Sequence, residues 1–279
     1  MSLKKIVLAL SLTAAPIALN APVSAQTPAS PSSGPAANVT TQLPRGVVPT
    51  HYAITVTPDA AKLRFTGKVA IDVTLTTPSD SITLNAADLT IDKVSIAPAG
   101  GKAITGTATI DADAQTATLK FAKSLAAGKY VLTMDYAGII NTQANGLFAL
   151  DYTDNAGKAK RALFTQFEAP DARRFVPSWD EPSYKATFDL TAIVPADQLA
   201  VGNMPVKTRK DLGKGLAQVT FGTSPKMSSY LLFFGLGELD RATKMSAGTE
   251  IGVITGKGNT GKAQLALDGA AEILPYYND

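Results

Sequence analysis

The sequence predicts a mainly β protein, a large antiparallel saddle or sandwich followed by one C-terminal helix. Three observations carry that expectation. From Leu43 to about Thr255 the large apolar residues recur with a period of two, the spacing of half-buried strands. Gly, Pro, Asn and Asp cluster between these runs, where turns are needed. Only over Ala263 to Ile273 and the residues just after does the spacing become helical, with Leu267, Ala270, Ala271 and Leu274 along one side. No internal repeat is visible, which disfavours a solenoid or propeller.

The elements follow in order. Residues 1–25 read as a signal peptide: Lys4 and Lys5 form a charged start, Ile6 to Ala18 an apolar run broken by Pro16, and Val23-Ser24-Ala25 a small-residue cleavage site. That run is too short and interrupted to span a bilayer, and no later stretch reaches the roughly 18 uninterrupted apolar residues of a membrane helix. The expected product is therefore exported, periplasmic or extracellular and soluble, starts near Gln26, and has no membrane anchor once the signal is removed. Residues 26–42, rich in Pro, Ser, Ala and Thr, can bury little and read as a flexible leader.

In the β-rich region 43–258, Tyr52, Ile54 and Val56 share one face of the first strand, and Val69, Ile71, Val73 and Leu75 share one face of the second. Further strands are expected at 82–84, 89–96, 104–110, 116–121, 130–136, 161–166, 186–194, 216–222 and 249–254. Tyr230-Leu231-Leu232-Phe233-Phe234 is apolar at every position and reads as a central strand covered on both faces. After the turn-rich Gly256 to Gly261 comes the terminal helix, which Pro275 should kink or end. A single amphipathic helix has little of its own to pack on. The segment 259–279 therefore reads as the first element of a second domain.

Composition removes several function classes. The chain has 279 residues, 45% apolar and 18% charged, enough to bury a sizeable core. Its formal charge is +3, and Lys4 and Lys5 of the signal peptide supply two of those charges, so the chain carries no nucleic-acid footprint. It has no Cys, which excludes disulfides, thiolate metal sites and thiol nucleophiles. It has one His, His51, and a lone imidazole at the start of a strand cannot build a zinc site, so His51 reads as a surface or edge residue. By these residues alone no catalytic group and no bound metal are expected.

The most unusual stretch runs from Phe164 to Pro182. It holds the only Trp, two adjacent Arg, four acids and three Pro in an otherwise charge-poor chain. One reading is a structural loop in which Arg173 and Arg174 pair with Asp171, Asp180 or Glu181 while Trp179 fills the core. The other is a loop that presents one carboxylate to a ligand cation, and residue types alone do not say which carboxylate.

Thr165-Gln166-Phe167-Glu168, Ala172-Arg173-Arg174, Pro177-Ser178-Trp179-Asp180-Glu181-Pro182 and Lys185-Ala186-Thr187-Phe188 together resemble the N-terminal domain of the aminopeptidase N family of zinc metallopeptidases. The likeness extends to Leu43-Pro44 through Pro49-Thr50-His51-Tyr52, to Gly146-Leu147-Phe148, and to Ser224-Pro225-Lys226-Met227-Ser228-Ser229-Tyr230-Leu231-Leu232, in register over residues 43 to 279. The resemblance implies a saddle-shaped β-domain over a thermolysin-like catalytic domain that uses zinc, with peptide N-termini as substrate. It implies that Glu168 binds the free α-amine of the peptide and that Gln166, on the same face of an extended segment, lines the pocket for the first side chain. Arg173, Arg174, Trp179, Asp180 and Glu181 belong to the same signature and read as its frame.

The departures also matter. The family's H-E-x-x-H zinc motif and its G-A-M-E-N segment are absent, Ser178 stands where Cys is common, and Phe175-Val176 where Ala-Phe is common. The resemblance thus implies a chain truncated before the zinc motif, binding no zinc itself and inactive alone, whose partner is the missing catalytic domain. The competing reading is a stand-alone exported β-domain that acts as a binding module. What separates the two is whether Leu267, Ile273, Leu274, Tyr276 and Tyr277 find partners or leave an apolar stripe exposed.

Overall fold

The computed structural model describes residues 43–278, so the signal peptide expected at 1–25 and the leader at 26–42 lie outside the described residues. The chain runs through β1 (Val47–Asp59), β2 (Arg64–Leu75), β3 (Ser79–Asn85), β4 (Leu89–Pro98), β5 (Ile104–Asp111), β6 (Thr116–Leu125), β7 (Gly128–Ile139), β8 (Gly146–Thr153) and β9 (Ala159–Gln166). A 3-10 turn at Ala172–Arg174 precedes β10 (Lys185–Pro195), β11 (Leu199–Gly202), β12 (Val206–Gly213), β13 (Leu216–Phe221), β14 (Met227–Ser228), β15 (Phe234–Gly237), β16 (Leu239–Ser246), β17 (Thr249–Gly256) and the helix α1 (Gln264–Asn278). The mainly β class is as the period-two pattern predicts.

Three sheets form. An 11-stranded sheet has the order β12-β13-β10-β1-β2-β7-β4-β5-β6-β3, with β14 against β10; a four-stranded sheet has the order β11-β15-β9-β8; and β16 and β17 make a separate hairpin. Alternation drives the large sheet. Tyr52, Ile54 and Val56 of β1 and Val69, Ile71 and Val73 of β2 are all buried, while Ala53 and Asp72 between them are exposed. Tyr52 stacks on Phe188 of β10 with ring centroids 4.9 Å apart, which ties the first strand to one far along the chain. Burial also pushes the Tyr52 phenol above its ordinary pKa.

The structure corrects three expectations. The large sheet is not wholly antiparallel, because β1 and β10 pair in parallel, His51 beside Thr187 through Val56 beside Ala192. The long stretch of chain between these strands removes the hairpin constraint that makes close neighbours antiparallel. Tyr230 to Phe234 is not one strand: Ser229–Leu231 forms a 3-10 turn and β15 begins only at Phe234. A backbone turn and one side chain end the ladder there, since the Leu232 amide donates to the Ser229 carbonyl at 3.0 Å and the Phe233 amide to Asn203 Oδ1 at 2.7 Å. Leu231 is left 49% exposed, so the apolar run is not covered on both sides.

Third, Pro275 does not end α1, which runs on to Asn278. Proline lacks the N–H that would bond the carbonyl of Ala271, and that carbonyl instead accepts a hydrogen bond from Ser246 Oγ of β16 at 2.6 Å. Lys244 of the same strand pairs with Asp268 at 2.6 Å. The helix therefore does pack on something, the β16–β17 hairpin, and Leu267 is buried. Ile273, Tyr276 and Tyr277 stay exposed, at 54%, 78% and 77%. Among the described residues no helix is long and apolar enough to cross a membrane.

Candidate functional site

Strand β9 builds the site by simple alternation. Leu163, Thr165 and Phe167 turn inward and are buried, whereas Gln166 and Glu168 on the other side are exposed. Thr165 pins the strand to its neighbour: its hydroxyl receives the Phe234 amide at 2.9 Å. Phe167 packs on Phe175 with centroids 5.4 Å apart, and Phe175 on Phe65 at 5.7 Å, so the loop is held down by aromatic burial on both sides of Glu168. The Asp171 amide reaches back to the Phe167 carbonyl at 3.3 Å and closes the turn.

Gln166 and Glu168 are brought together as the alternation predicts. Gln166 Oε1 accepts the Glu168 backbone N–H at 2.9 Å, which fixes the start of the loop and leaves the Gln166 amide nitrogen and the Glu168 carboxylate as the outward polar groups. Beside them stands Gly146, opposite Gln166 in the β8–β9 register. Its φ of +64° is one that side-chain-bearing residues avoid, and a Cβ there would lie 2.8 Å from Arg174 Cβ. Glycine at 146 thus lets β8 close on the loop.

The expected frame is built around a buried ion pair. Arg173 and Asp180 have side chains 7% and 2% exposed. Asp180 Oδ2 accepts from both the backbone N–H and Nε of Arg173 at 3.1 Å, and Asp180 Oδ1 accepts from Ser229 Oγ at 2.6 Å. The guanidinium also donates to the Asp180 carbonyl at 3.2 Å and to Gln115 Oε1 at 3.3 Å. Asn85 finishes the knot: Oδ1 accepts the Asp180 amide at 3.0 Å, and its backbone exchanges hydrogen bonds with Ser178 at 2.8 and 3.0 Å. With so many donors and acceptors matched, the pair can stay charged away from water.

Arg174 is held differently, half-buried between Asp171, 2.7 Å from its Nε, and Asp88. Partial burial opposes its charge, but the Asp171 hydrogen bond and the two neighbouring carboxylates outweigh that and raise its pKa. Trp179 is buried, and its backbone N–H donates to the Tyr52 hydroxyl at 3.1 Å. Glu181 Oε1 accepts the Leu43 amide at 2.9 Å and so anchors the start of the described chain. Both neighbouring arginines are thus matched to other acids. Among the described residues no cation lies within ion-pair distance of Glu168.

Sequence reading missed Asn85, Ser229, Tyr52, Asp88 and Gln115, which come from distant elements. Ser229 and Tyr52 lay in stretches singled out beforehand, but nothing about their types announced a partner for Asp180 or for the Trp179 amide. His51 is on the outer side of β1, its Nδ1 2.8 Å from Thr187 Oγ1 and its Nε2 3.5 Å from Asp189, away from this knot of contacts.

The family model of the peptidase M1 N-terminal domain matches residues 48–231. Aminopeptidase N of Acetobacter pasteurianus is 39% identical over 238 residues, covering 85% of this chain and 66% of that protein. Aminopeptidase M1-C of Oryza sativa subsp. japonica is 36% identical over 239 residues, covering 85% of this chain and 27% of its own length. The puromycin-sensitive aminopeptidase of Caenorhabditis elegans is 34% identical over 241 residues, 25% of its length. The chain therefore spans from about a quarter to just under two thirds of these relatives.

Proposed function

Because the chain belongs to the peptidase M1 family, whose N-terminal domain it carries over residues 48–231, we propose that it is the substrate-anchoring domain of an aminopeptidase. The observation that carries this is the unmatched carboxylate of Glu168, exposed next to Gln166 while Arg173 and Arg174 are matched to Asp180, Asp171 and Asp88. A peptide N-terminus is an ammonium with donors to spare. A fixed carboxylate recognises it by charge-assisted hydrogen bonds and rejects a blocked amine, which leaves its acceptors unmet. Gln166 holds Glu168 in place through the 2.9 Å bond and offers its amide to the first residue of the peptide.

Zinc, implied for the complete enzyme, has no fitting site here. Among the described residues no group of three or more His, Cys, Asp or Glu is placed to hold a metal ion, and His51 has Thr187 Oγ1 at 2.8 Å and Asp189 at 3.5 Å beside it. We assign no bond-breaking step to this chain. Its part is to set the amine at a fixed distance from the reacting carbonyl, which limits cleavage to the first residue, and the chain alone is inactive in this reading. The segment 259–279 then opens the catalytic domain.

In the complete enzyme, Glu168→Gln is expected to lower kcat/KM for an unblocked aminoacyl substrate roughly ten- to a hundredfold, the 1.5–3 kcal/mol of a hydrogen bond to a charged group. Glu181→Gln, compared at equal folded fraction, should change it far less. Equal losses would show that anchor and frame are exchanged. The signal peptide read at residues 1–25 makes this an exported enzyme in our reading, and the intact mass of the native protein from the exported fraction checks that: it should begin at Gln26. A product that retains Met1 to Ala25 would remove export from the proposal.

A further inference from the structure

We propose that the β12–β13 hairpin docks on an anionic lipid surface and so holds the chain against a membrane without inserting into it as a helix. The proposal goes beyond the reading of Glu168 and does not depend on it. β12 is an outermost strand of the large sheet and pairs only with β13. Every residue from Pro205 to Leu216 is exposed. Lys207, Arg209, Lys210 and Lys214 stand there against one acid, Asp211, so residues 206–216 carry a formal +3, as much as all 279 residues together. The fold leaves the lysines free. Asp211 Oδ1 turns back to accept the Gly213 amide at 2.7 Å, and Arg209 donates to the carbonyls of Ala196 and Gln198 at 2.8 and 3.3 Å, beside Asp197. Among the described residues no acid lies within ion-pair distance of Lys207, Lys210 or Lys214.

Lysines on an edge strand ordinarily guard it against pairing with another chain. This hairpin carries more than that purpose needs. The register of β12 on β13 shifts between Val206 and Thr208 and again between Asp211 and Gly213, and such bulges by themselves spoil a free edge as a template. Leu212 and Leu216, 42% and 39% exposed, flank the turn, where a guarding device would place polar residues. Lys214 and Gly215, the two residues of the turn, have φ of +54° and +74°, a conformation for which Asn or Gly is the low-strain choice. Lysine at that position puts an ammonium at the tip of the hairpin, between the two leucines in sequence.

The mixture of side chains selects the occupant. An anionic lipid surface meets lysine ammonium groups with its headgroup phosphates and takes leucine methyl groups into the acyl boundary behind them. A soluble polyanion would use the lysines alone and leave Leu212 and Leu216 in water. Charge complementarity therefore brings the hairpin to the surface, and the two leucines distinguish lipid from other anions. The attraction is one of exposed charges, so it weakens as salt is added.

Co-sedimentation of the full chain with vesicles of equal parts phosphatidylglycerol and phosphatidylcholine, at low salt, tests this. The apolar run Ile6 to Ala18 is common to every variant, so the differences between variants decide. Lys210→Gln combined with Lys214→Gln is expected to lower binding roughly twentyfold, about fivefold for each lysine. Leu212→Ser combined with Leu216→Ser should lower it several-fold on vesicles and leave binding to soluble inorganic polyphosphate unchanged. Lys102→Gln combined with Lys123→Gln, exposed cations toward the other end of the same sheet, should change neither. All six positions are exposed, and circular dichroism checks that each variant keeps the fold. Equal losses for the two lysine pairs would overturn the proposal, since the attraction would then be one of overall charge. So would retention of full binding by the Lys210 and Lys214 variant. A leucine pair without effect would overturn it too, because the occupant would then be a soluble polyanion.

Discussion

Asp180→Ala is expected to destabilise the protein by about 3–5 kcal/mol, the cost of stranding one partner of a buried ion pair. The physical reason is what remains behind. Arg173, with its side chain 7% exposed, would keep its charge without the carboxylate that receives its Nε and backbone N–H, and Ser229 Oγ would lose its acceptor at 2.6 Å. A loss of that size is a large part of the roughly 5–15 kcal/mol that holds a typical domain together. Urea unfolding followed by circular dichroism measures it. Arg173→Ala should cost a similar amount, and the double variant should cost less than the sum of the two, because neither stranded charge then persists. Additive losses, or a loss below about 1 kcal/mol for Asp180→Ala, a value proper to a surface pair, would show that the pair is not the keystone of the loop.

Trp179→Ala is expected to cost about 3–5 kcal/mol by leaving a cavity where the largest buried side chain now sits. Trp179→Phe should cost much less. The indole N–H has no hydrogen-bond partner among the described residues, so phenylalanine gives up ring area without giving up a hydrogen bond. As the only Trp of the chain, Trp179 also reports on the native state through its own fluorescence, which should be that of an apolar site and shift to the red on unfolding. A native spectrum typical of solvent-exposed indole, or equal losses for Ala and Phe, would place Trp179 outside the core.

Both experiments bear on function through one loop. Asp180 and Trp179 touch no substrate in the proposed reading; they hold the segment from Phe167 to Glu181, on whose outer side Glu168 stands. In the complete enzyme a variant that loosens this knot should weaken substrate use in proportion to its loss of folded protein. Glu168→Gln, on an exposed residue, should weaken it with no loss of stability. That contrast between two acids of one loop is what separates frame from anchor.

The alternation of Tyr52, Ile54 and Val56, and of Val69, Ile71 and Val73, was readable because a strand half-covered by a core imposes a period of two on its own residues. The same local rule put Gln166 and Glu168 on one side of β9 and Phe167 on the other. Where a segment carries no such imprint, nothing local revealed it: β12 is exposed along its whole length and β16 has no buried residue, and neither was read as a strand.

Partners across space were a different matter. The choice of Asp180 for Arg173, and of Asp171 with Asp88 for Arg174, was open among neighbouring acids until distant Asn85, Ser229 and Asp88 took their places. The parallel pairing of β1 with β10 depends on a long intervening chain that sets no direction of its own. Pro275 stays within a helix because Ser246, in another element, bonds the carbonyl that proline leaves free. Periodicity, composition and signature residues are properties of short stretches, so the sequence alone determined the β class and the stretch that carries Glu168. Satisfaction of buried charges and of orphaned carbonyls is a property of groups that meet only after folding, and for that reason the tertiary structure alone decided which acid is buried against an arginine and which stays exposed.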